Sequence, residues 1–162
     1  MTDERMGDSL WGALERLPRG SGVVFRHYGL DSAERRALFA RLVRVARRRG
    51  LTVIRAGAAP LGHGEAGVHG RRGRGLRTSS AHSRREAIRA IRAGADALFV
   101  SPVFATRSHP GAKPMGRVRL GLLIRGLQVP VIALGGMDAR RARGLRGLGA
   151  YGWAAIDAWT RP

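Results

Sequence analysis

Apolar and polar positions alternate in blocks along the chain. In residues 9–17, SLWGALERL, Leu10, Ala13, Leu14 and Leu17 recur at helical spacing, which predicts a helix that Pro18 stops. The short run GVVFRH, residues 22–27, predicts a buried strand. Asp31 or Ser32 can cap the next helix, whose Leu38, Leu42, Val45 and Ala46 keep the 3.6 period until Gly50. LTVIRAG, residues 51–57, predicts a second strand. Residues 58–76 are glycine-rich and leave room for one short strand at 67–69, with RTSS, 77–80, as another.

The pattern then sharpens. Ser83 and Glu86 have the spacing of a capping box, and Ala87, Ile88 and Ile91 supply the buried face of a helix ending at Gly94. ALFVS, 97–101, predicts a buried strand that Pro102 closes. A polar loop follows, then a helix from Arg119, a strand over VPVIAL at 129–134, and the pair Gly135–Gly136. Asp138 can cap a helix over ARRARGLRGLG, and YGWAAIDAW predicts a last strand. Strand and helix alternate, and the strands are continuously apolar, which demands crossover helices and parallel pairing. A doubly wound sheet and a (β/α) barrel both fit. A complete barrel takes roughly 250 residues, and this chain has 162. The length predicts one domain, 1–162, with one core.

Charge adds an unusual feature. Lys and Arg total 30 against 11 Asp and Glu, a net charge of +19, yet Lys113 is the only lysine. The arginines run through nearly the whole chain, which fits solvent-facing helix positions in an arginine-rich composition. Nucleic-acid binding is the competing reading, disfavoured because aromatic residues make up only 6% and offer no stacking stripe. Cysteine is absent, which excludes disulfides and thiolate metal sites. No apolar run reaches membrane-spanning length and the first residues lack a signal-peptide core, so the expected location is the cytoplasm.

Ligands of parallel α/β folds gather at the carboxyl ends of the strands. Gly135 and Gly136 stand there, between a strand and a helix, where glycine lets backbone N–H groups approach a phosphate. Thr106 and Ser108 offer hydroxyls from the preceding loop, Lys113 a compact cation and His109 an acid or base. His27 and His69 fall at strand ends and could converge; no histidine spacing matches a zinc signature. Asp31, Glu86 and Asp138 are explained as helix caps, and no carboxylate pair is left over for magnesium.

HSRREAIRAIRAGADALFVSPVFATRSHPGAKPMG, VPVIALGGMD and GAYGWAAIDA together resemble the thiamine phosphate synthase and thiazole tautomerase family, well over 67–158 and faintly over 1–57. The resemblance implies a (β/α)8 TIM barrel, here lacking its first strand and last helix. It implies a transferase that couples hydroxymethylpyrimidine diphosphate to thiazole phosphate and releases pyrophosphate with Mg²⁺. Thr106 matches the loop threonine that helps hold thiazole phosphate, and Gly136, beside Gly135, the glycine of the seventh-strand turn. Ser80 (or Ser79) matches the fifth-strand serine, Lys113 is the displaced counterpart of the loop lysine, and Arg26 stands in the pyrophosphate segment.

The family's third strand ends in Asn-Asp, and its fourth-strand region reads GVHLGQED; the two aspartates hold magnesium. Here the segments read IRAG and GVHGRRGRG, so those ligands are not evident. The tautomerase branch carries a loop histidine about where this chain has Pro102. Candidate catalytic residues are therefore Arg26, Thr106 and His109. Candidate phosphate ligands are Ser80, Thr106, Lys113, Gly135 and Gly136. The expected partners are small phosphorylated substrates, with no membrane. An open barrel edge implies either a start upstream of Met1 or completion by another copy in a homo-oligomer. A regulatory barrel that binds a phosphate ligand without turnover is the alternative to the enzyme.

Overall fold

The computed structural model describes residues 1–107 and 111–160, which group into two compact units. The first comprises residues 1–77 with the C-terminal residues from Ile156; the second is 78–155.

In the first unit, α1 (Ser9–Arg16) and α2 (Ser32–Arg49) accompany β1 (Gly22–Phe25), β2 (Thr52–Ala56) and β3 (Gly67–His69). The strands pair in parallel in chain order. Phe25 stands opposite Arg55, and Ala56 opposite His69. The helices form where the sequence supplies both an apolar face and a cap. Asp31 accepts the N–H groups of Ala33 and Glu34, and the Glu34 carboxylate returns to the Asp31 N–H, so α2 starts on a full capping box. Phe39, Leu42, Val43 and Ala46 of α2 pack with Leu10 and Leu14 of α1 and with Val23, Phe25 and Val53 of the strands. Fully burying each large side chain of this set stabilises the fold by about 1.5–3 kcal/mol.

The edge beside β1 is not bare. Thr2 is buried, its N–H donates to the Val24 carbonyl at 2.8 Å, and its hydroxyl accepts the Arg26 N–H at 2.9 Å. Residues 1–3 therefore lie alongside β1 where the first strand of a barrel would run.

The second unit takes most of β4 (Leu76–Ala81), then α3 (Arg84–Arg92), β5 (Ala97–Val100), α4 (Gly116–Ile124), β6 (Val131–Ala133), α5 (Ala139–Arg143) and β7 (Gly152–Trp153). β4, β5, β6 and β7 pair in parallel in that order. Leu98, Phe99 and Val100 are buried, as the apolar run requires of a strand covered on both faces.

Four expectations are corrected. The Ser83–Glu86 cap is only half a box: Ser83 Oγ accepts the Glu86 N–H, but the Glu86 carboxylate turns to the His82 N–H and the Ser83 hydroxyl. The helix after the polar loop starts at Gly116 rather than Arg119. The helix capped by Asp138 stops at Arg143, and a separate 3-10 turn covers Arg146–Leu148, because Gly144 and Gly147 weaken helix propagation. Finally, YGWAAIDAW is not one strand. Only Gly152–Trp153 pair, and Asp157–Thr160 form α6, which belongs to the first unit and meets α1 through the Arg16 guanidinium on the Trp159 carbonyl at 2.5 Å. The aromatic and β-branched content of that segment suggests a strand, but β6 extends only over Val131–Ala133 and offers few partners.

Candidate functional site

The second unit holds the candidate phosphate ligands Ser80, Thr106, Lys113, Gly135 and Gly136. β5 ends at Val100, and residues 101–107 lead into the polar loop. This segment is stitched onto the end of β6. Leu134 N–H donates to the Val100 carbonyl at 2.9 Å, Val103 N–H to the Leu134 carbonyl at 2.9 Å, and Phe104 N–H to the Gly135 carbonyl at 3.0 Å. The loop's return is fixed too, since Met115 N–H reaches the Pro102 carbonyl and Gly116 N–H the Val103 carbonyl.

Against this segment lie Gly135 and Gly136, both with positive φ, +91° and +59°. A Cβ on Gly135 would come within 2.7 Å of the Pro102 Cα. A Cβ on Gly136 would meet the Phe104 Cβ at 3.0 Å and the Ala105 carbonyl oxygen closer still. Glycine is therefore required twice over, for the left-handed backbone and for the approach of two chains. The consequence is chemical: the Gly135–Gly136 turn is seated against the peptide that carries Thr106, which is half-buried. Thr106, Gly135 and Gly136 are thus brought together.

The other candidates are placed as follows. Ser80 is exposed near the C-terminal end of β4, opposite Phe99. Lys113 is exposed in the loop before α4. His109 and Ser108 lie outside the described residues. Arg26 belongs to the first unit, half-buried just after β1, with its guanidinium 5.9 Å from the Tyr28 ring.

Two residues were not assigned to this site by sequence reading, although His82 was among the histidines weighed as metal ligands. Arg141, in the first turn of α5, places its guanidinium over the Phe104 ring at 4.9 Å and donates to the Gly136 carbonyl. Asp138 holds it from below, capping the Arg141 N–H at 2.7 Å with its carboxylate 3.8 Å from Nε. In a chain of thirty basic residues nothing singles out this arginine except its spacing from the Asp138 cap. The second is His82, directly after β4, whose Nδ1 lies 2.7 Å from the Ser101 carbonyl oxygen. That bond ties the end of β4 to the end of β5 and fixes the imidazole orientation.

In the first unit the residues do not suit a divalent metal. Glu65, the carboxylate nearest β3 in sequence, is committed: Arg55 Nε donates to it at 2.8 Å, and its other oxygen accepts the Leu61 N–H. Both side chains are largely buried. His27 Nδ1 is 3.1 Å from the Thr2 hydroxyl, and its ring stacks on Phe25 at 5.0 Å, on the side of the apolar core. Burial pushes its pKa down. Among the described residues no group of three His, Asp or Glu could hold a metal ion. The described residues therefore do not fit a magnesium ligand set, and no step is derived through the metal.

Similarity to known proteins supports the assignment of the second unit. The thiamine monophosphate synthase family model matches residues 75–159, more than half of the chain. The chain belongs to this family. A thiamine-phosphate synthase of Chloroflexus aurantiacus is 39% identical over 80 residues, 49% of this chain and 37% of that protein. A putative thiamine-phosphate synthase 2 of Aquifex aeolicus is 42% identical over 78 residues, 48% of this chain and 42% of that protein. The matched stretch thus spans less than half the length of these relatives. Among solved structures, a thiamine phosphate pyrophosphorylase from Pyrococcus furiosus superposes with a TM-score of 0.79 at 22% identity, covering 96% of this chain and 83% of that one. At that identity the likeness shows the fold, which is the α/β fold of the thiamine phosphate synthase barrel. No helix among the described residues is long and apolar enough to cross a membrane.

Proposed function

We propose that this family member is a transferase of the thiamine phosphate synthase type. It would couple hydroxymethylpyrimidine diphosphate to thiazole phosphate. The bond between the pyrimidine methylene carbon and the diphosphate oxygen breaks, the thiazole nitrogen bonds to that carbon, and pyrophosphate leaves. The observation that supports this reading best is the seating of Gly135 and Gly136 against the Ala105–Thr106 peptide. It brings a hydroxyl and glycine backbone beside the end of a parallel strand, where a phosphate is bound without desolvating a buried charge.

In this reading Thr106 Oγ1 and the glycine N–H groups hold the thiazole phosphate, and Arg141 fixes the Gly136 carbonyl so that the turn keeps its shape. Ser80 and Lys113 extend the polar rim. Holding both substrates in place supplies the rate through orientation. A phosphate-binding barrel without turnover is the second reading, favoured by the commitment of Glu65 to Arg55.

Incubation with both substrates, followed by detection of thiamine phosphate, tests the proposal. Product formed by the wild type, and reduced at least about tenfold in Thr106→Ala, is expected from the loss of one phosphate hydrogen bond of about 1.5–3 kcal/mol. Binding of thiazole phosphate with no product, in the presence or absence of Mg²⁺, would move the protein to the non-catalytic reading.

A further inference from the structure

Away from the strand ends, α1 and α2 of the first unit enclose a charged cleft of about 350 Å³, lined by Trp11, Glu15, Arg41, Arg44, Val45 and Arg48. Positions 41, 44, 45 and 48 fall on one stripe of α2, and 11 and 15 on one stripe of α1. Three arginines on one stripe repel one another, and a helix ordinarily relieves this with carboxylates at the same spacing. Here that relief is missing. Glu15 is engaged by Arg49, 3.4 Å away, and Glu34, the acidic residue of α2, is spent on the capping box. Arg41, Arg44 and Arg48 are exposed, and none of them has an ion-pair or hydrogen-bond partner among the described residues. The helix dipole accounts for Arg48 in the last turn, but Arg41 and Arg44 lie more than a turn from the end. Arg41 has one partner, the Trp11 ring, with its guanidinium carbon 3.9 Å from the centroid. That stack fixes the guanidinium plane while leaving its N–H edges free.

We infer that this cleft is a binding site for a triphosphate chain, free or as part of a nucleoside triphosphate. From Arg41 to Arg48 the stripe runs about 10 Å along the helix axis, at 1.5 Å per residue. Three unpaired guanidiniums in that length match a ligand that gathers three or four negative charges in one short chain, each fork taking two phosphate oxygens. Arg41, already held on the indole, loses less conformational freedom on binding than a free arginine would. The bound anion also removes the repulsion along α2. A nucleic-acid strand fits less well. Arg41 covers the Trp11 ring, so the indole is not an open platform for bases, and the Glu15 carboxylate on the α1 wall repels a phosphate backbone that continues past the cleft. Thr106, Gly135 and Gly136 belong to the other unit, and this inference does not rest on the transferase reading.

Titration of the whole chain with inorganic tripolyphosphate, and separately with ATP, tests this in EDTA at about 0.15 M salt. The readout is the Trp11 indole N–H resonance, assigned by its loss in Trp11→Phe, because it reports the cleft rather than anions held elsewhere. A saturable shift is expected with both probes. Equal midpoints assign the site to the phosphate chain itself, and a lower midpoint for ATP assigns it to a nucleoside triphosphate; both uphold the inference. Arg44→Gln with Arg48→Gln should raise the midpoint at least about tenfold, through the loss of two charge-assisted contacts. Both side chains are exposed, so the variant should fold, which circular dichroism checks. α3 supplies the control. Its Arg85 and Arg89 are exposed, four residues apart, and lie over no aromatic ring among the described residues. Arg85→Gln with Arg89→Gln removes the same charge and should leave the midpoint within about twofold, since charges outside a Debye length are screened. Thr106→Ala should leave it unchanged, so failure of the transferase reading and failure of this site are distinguishable. No shift, a shift that grows without saturating, equal weakening by the two double variants, or a response to duplex DNA but to neither probe each overturns the inference.

Discussion

Replacing Gly136 by alanine tests whether the Gly135–Gly136 turn is built as described. Two costs add. The first is conformational: at φ +59° an L-residue is in the left-handed region, which costs about 1–2 kcal/mol. The second is steric. The new Cβ would stand 3.0 Å from the Phe104 Cβ and closer to the Ala105 carbonyl oxygen, and neither is the free end of a flexible side chain. The 101–107 segment is held by hydrogen bonds to Leu134 and Gly135, so it cannot retreat cheaply. Overpacking of this kind costs about 1–3 kcal/mol, giving a total of about 2–5 kcal/mol. Gly149→Ala supplies the control. Gly149 has φ +86° in the same unit, with nothing within 4 Å of an added Cβ, so it incurs only the conformational cost. Urea unfolding of the two variants isolates the close approach as the difference between them, and titration with thiazole phosphate shows whether the displaced turn still binds. Equal destabilisation by the two substitutions, with phosphate binding intact in Gly136→Ala, would refute the seating of this turn against Ala105–Thr106.

Glu65→Ala leaves the Arg55 guanidinium buried without its carboxylate and should cost about 3–5 kcal/mol in denaturant unfolding, whereas Arg55→Met with Glu65→Leu should cost markedly less, because both charges leave together. The His82 N–H and the Ser83 hydroxyl hold the Glu86 carboxyl below the usual carboxylate range. A depressed folded-state pKa contributes stability that is present above the unfolded value and is lost as pH falls through the folded one. The midpoint of thermal unfolding should therefore fall more steeply below pH 4.5 in the wild type than in Glu86→Gln; parallel curves would remove Glu86 from the acid response.

The local half of this structure is written in the sequence because its causes are local. Asp31, Ser83 and Asp138 cap helices in the structure as their spacing implies, and the short apolar runs at 22–25 and 97–100, bounded by turn residues, are buried strands, as is 52–56, where Arg55 interrupts the apolar run. The short strand at 67–69 is legible through its glycine boundaries. The end of the chain is not. Residues 151–159 carry strand-like composition, but whether a strand continues depends on the length of β6 beside it, which no local pattern states. The Thr106 and Gly136 pairing is legible through family likeness, while the contact of Arg141 with Gly136 and Phe104 is not.

What the sequence alone determined is where most helices and strands fall, that the strands must be parallel, and where a glycine turn joins a strand end to a helix. Those follow from periodicity, capping and turn chemistry, which act over a few residues. Only the tertiary structure decided which distant side chains share a face. Parallel register sets Ala56 against His69; hydrogen bonds between loop and strand end seat Gly136 on the Ala105 peptide; and Arg55 pairs with Glu65, the carboxylate nearest β3 in sequence. Each of these depends on contacts between residues far apart in the chain or on facing strands. Such contacts exist only once the crossovers are closed.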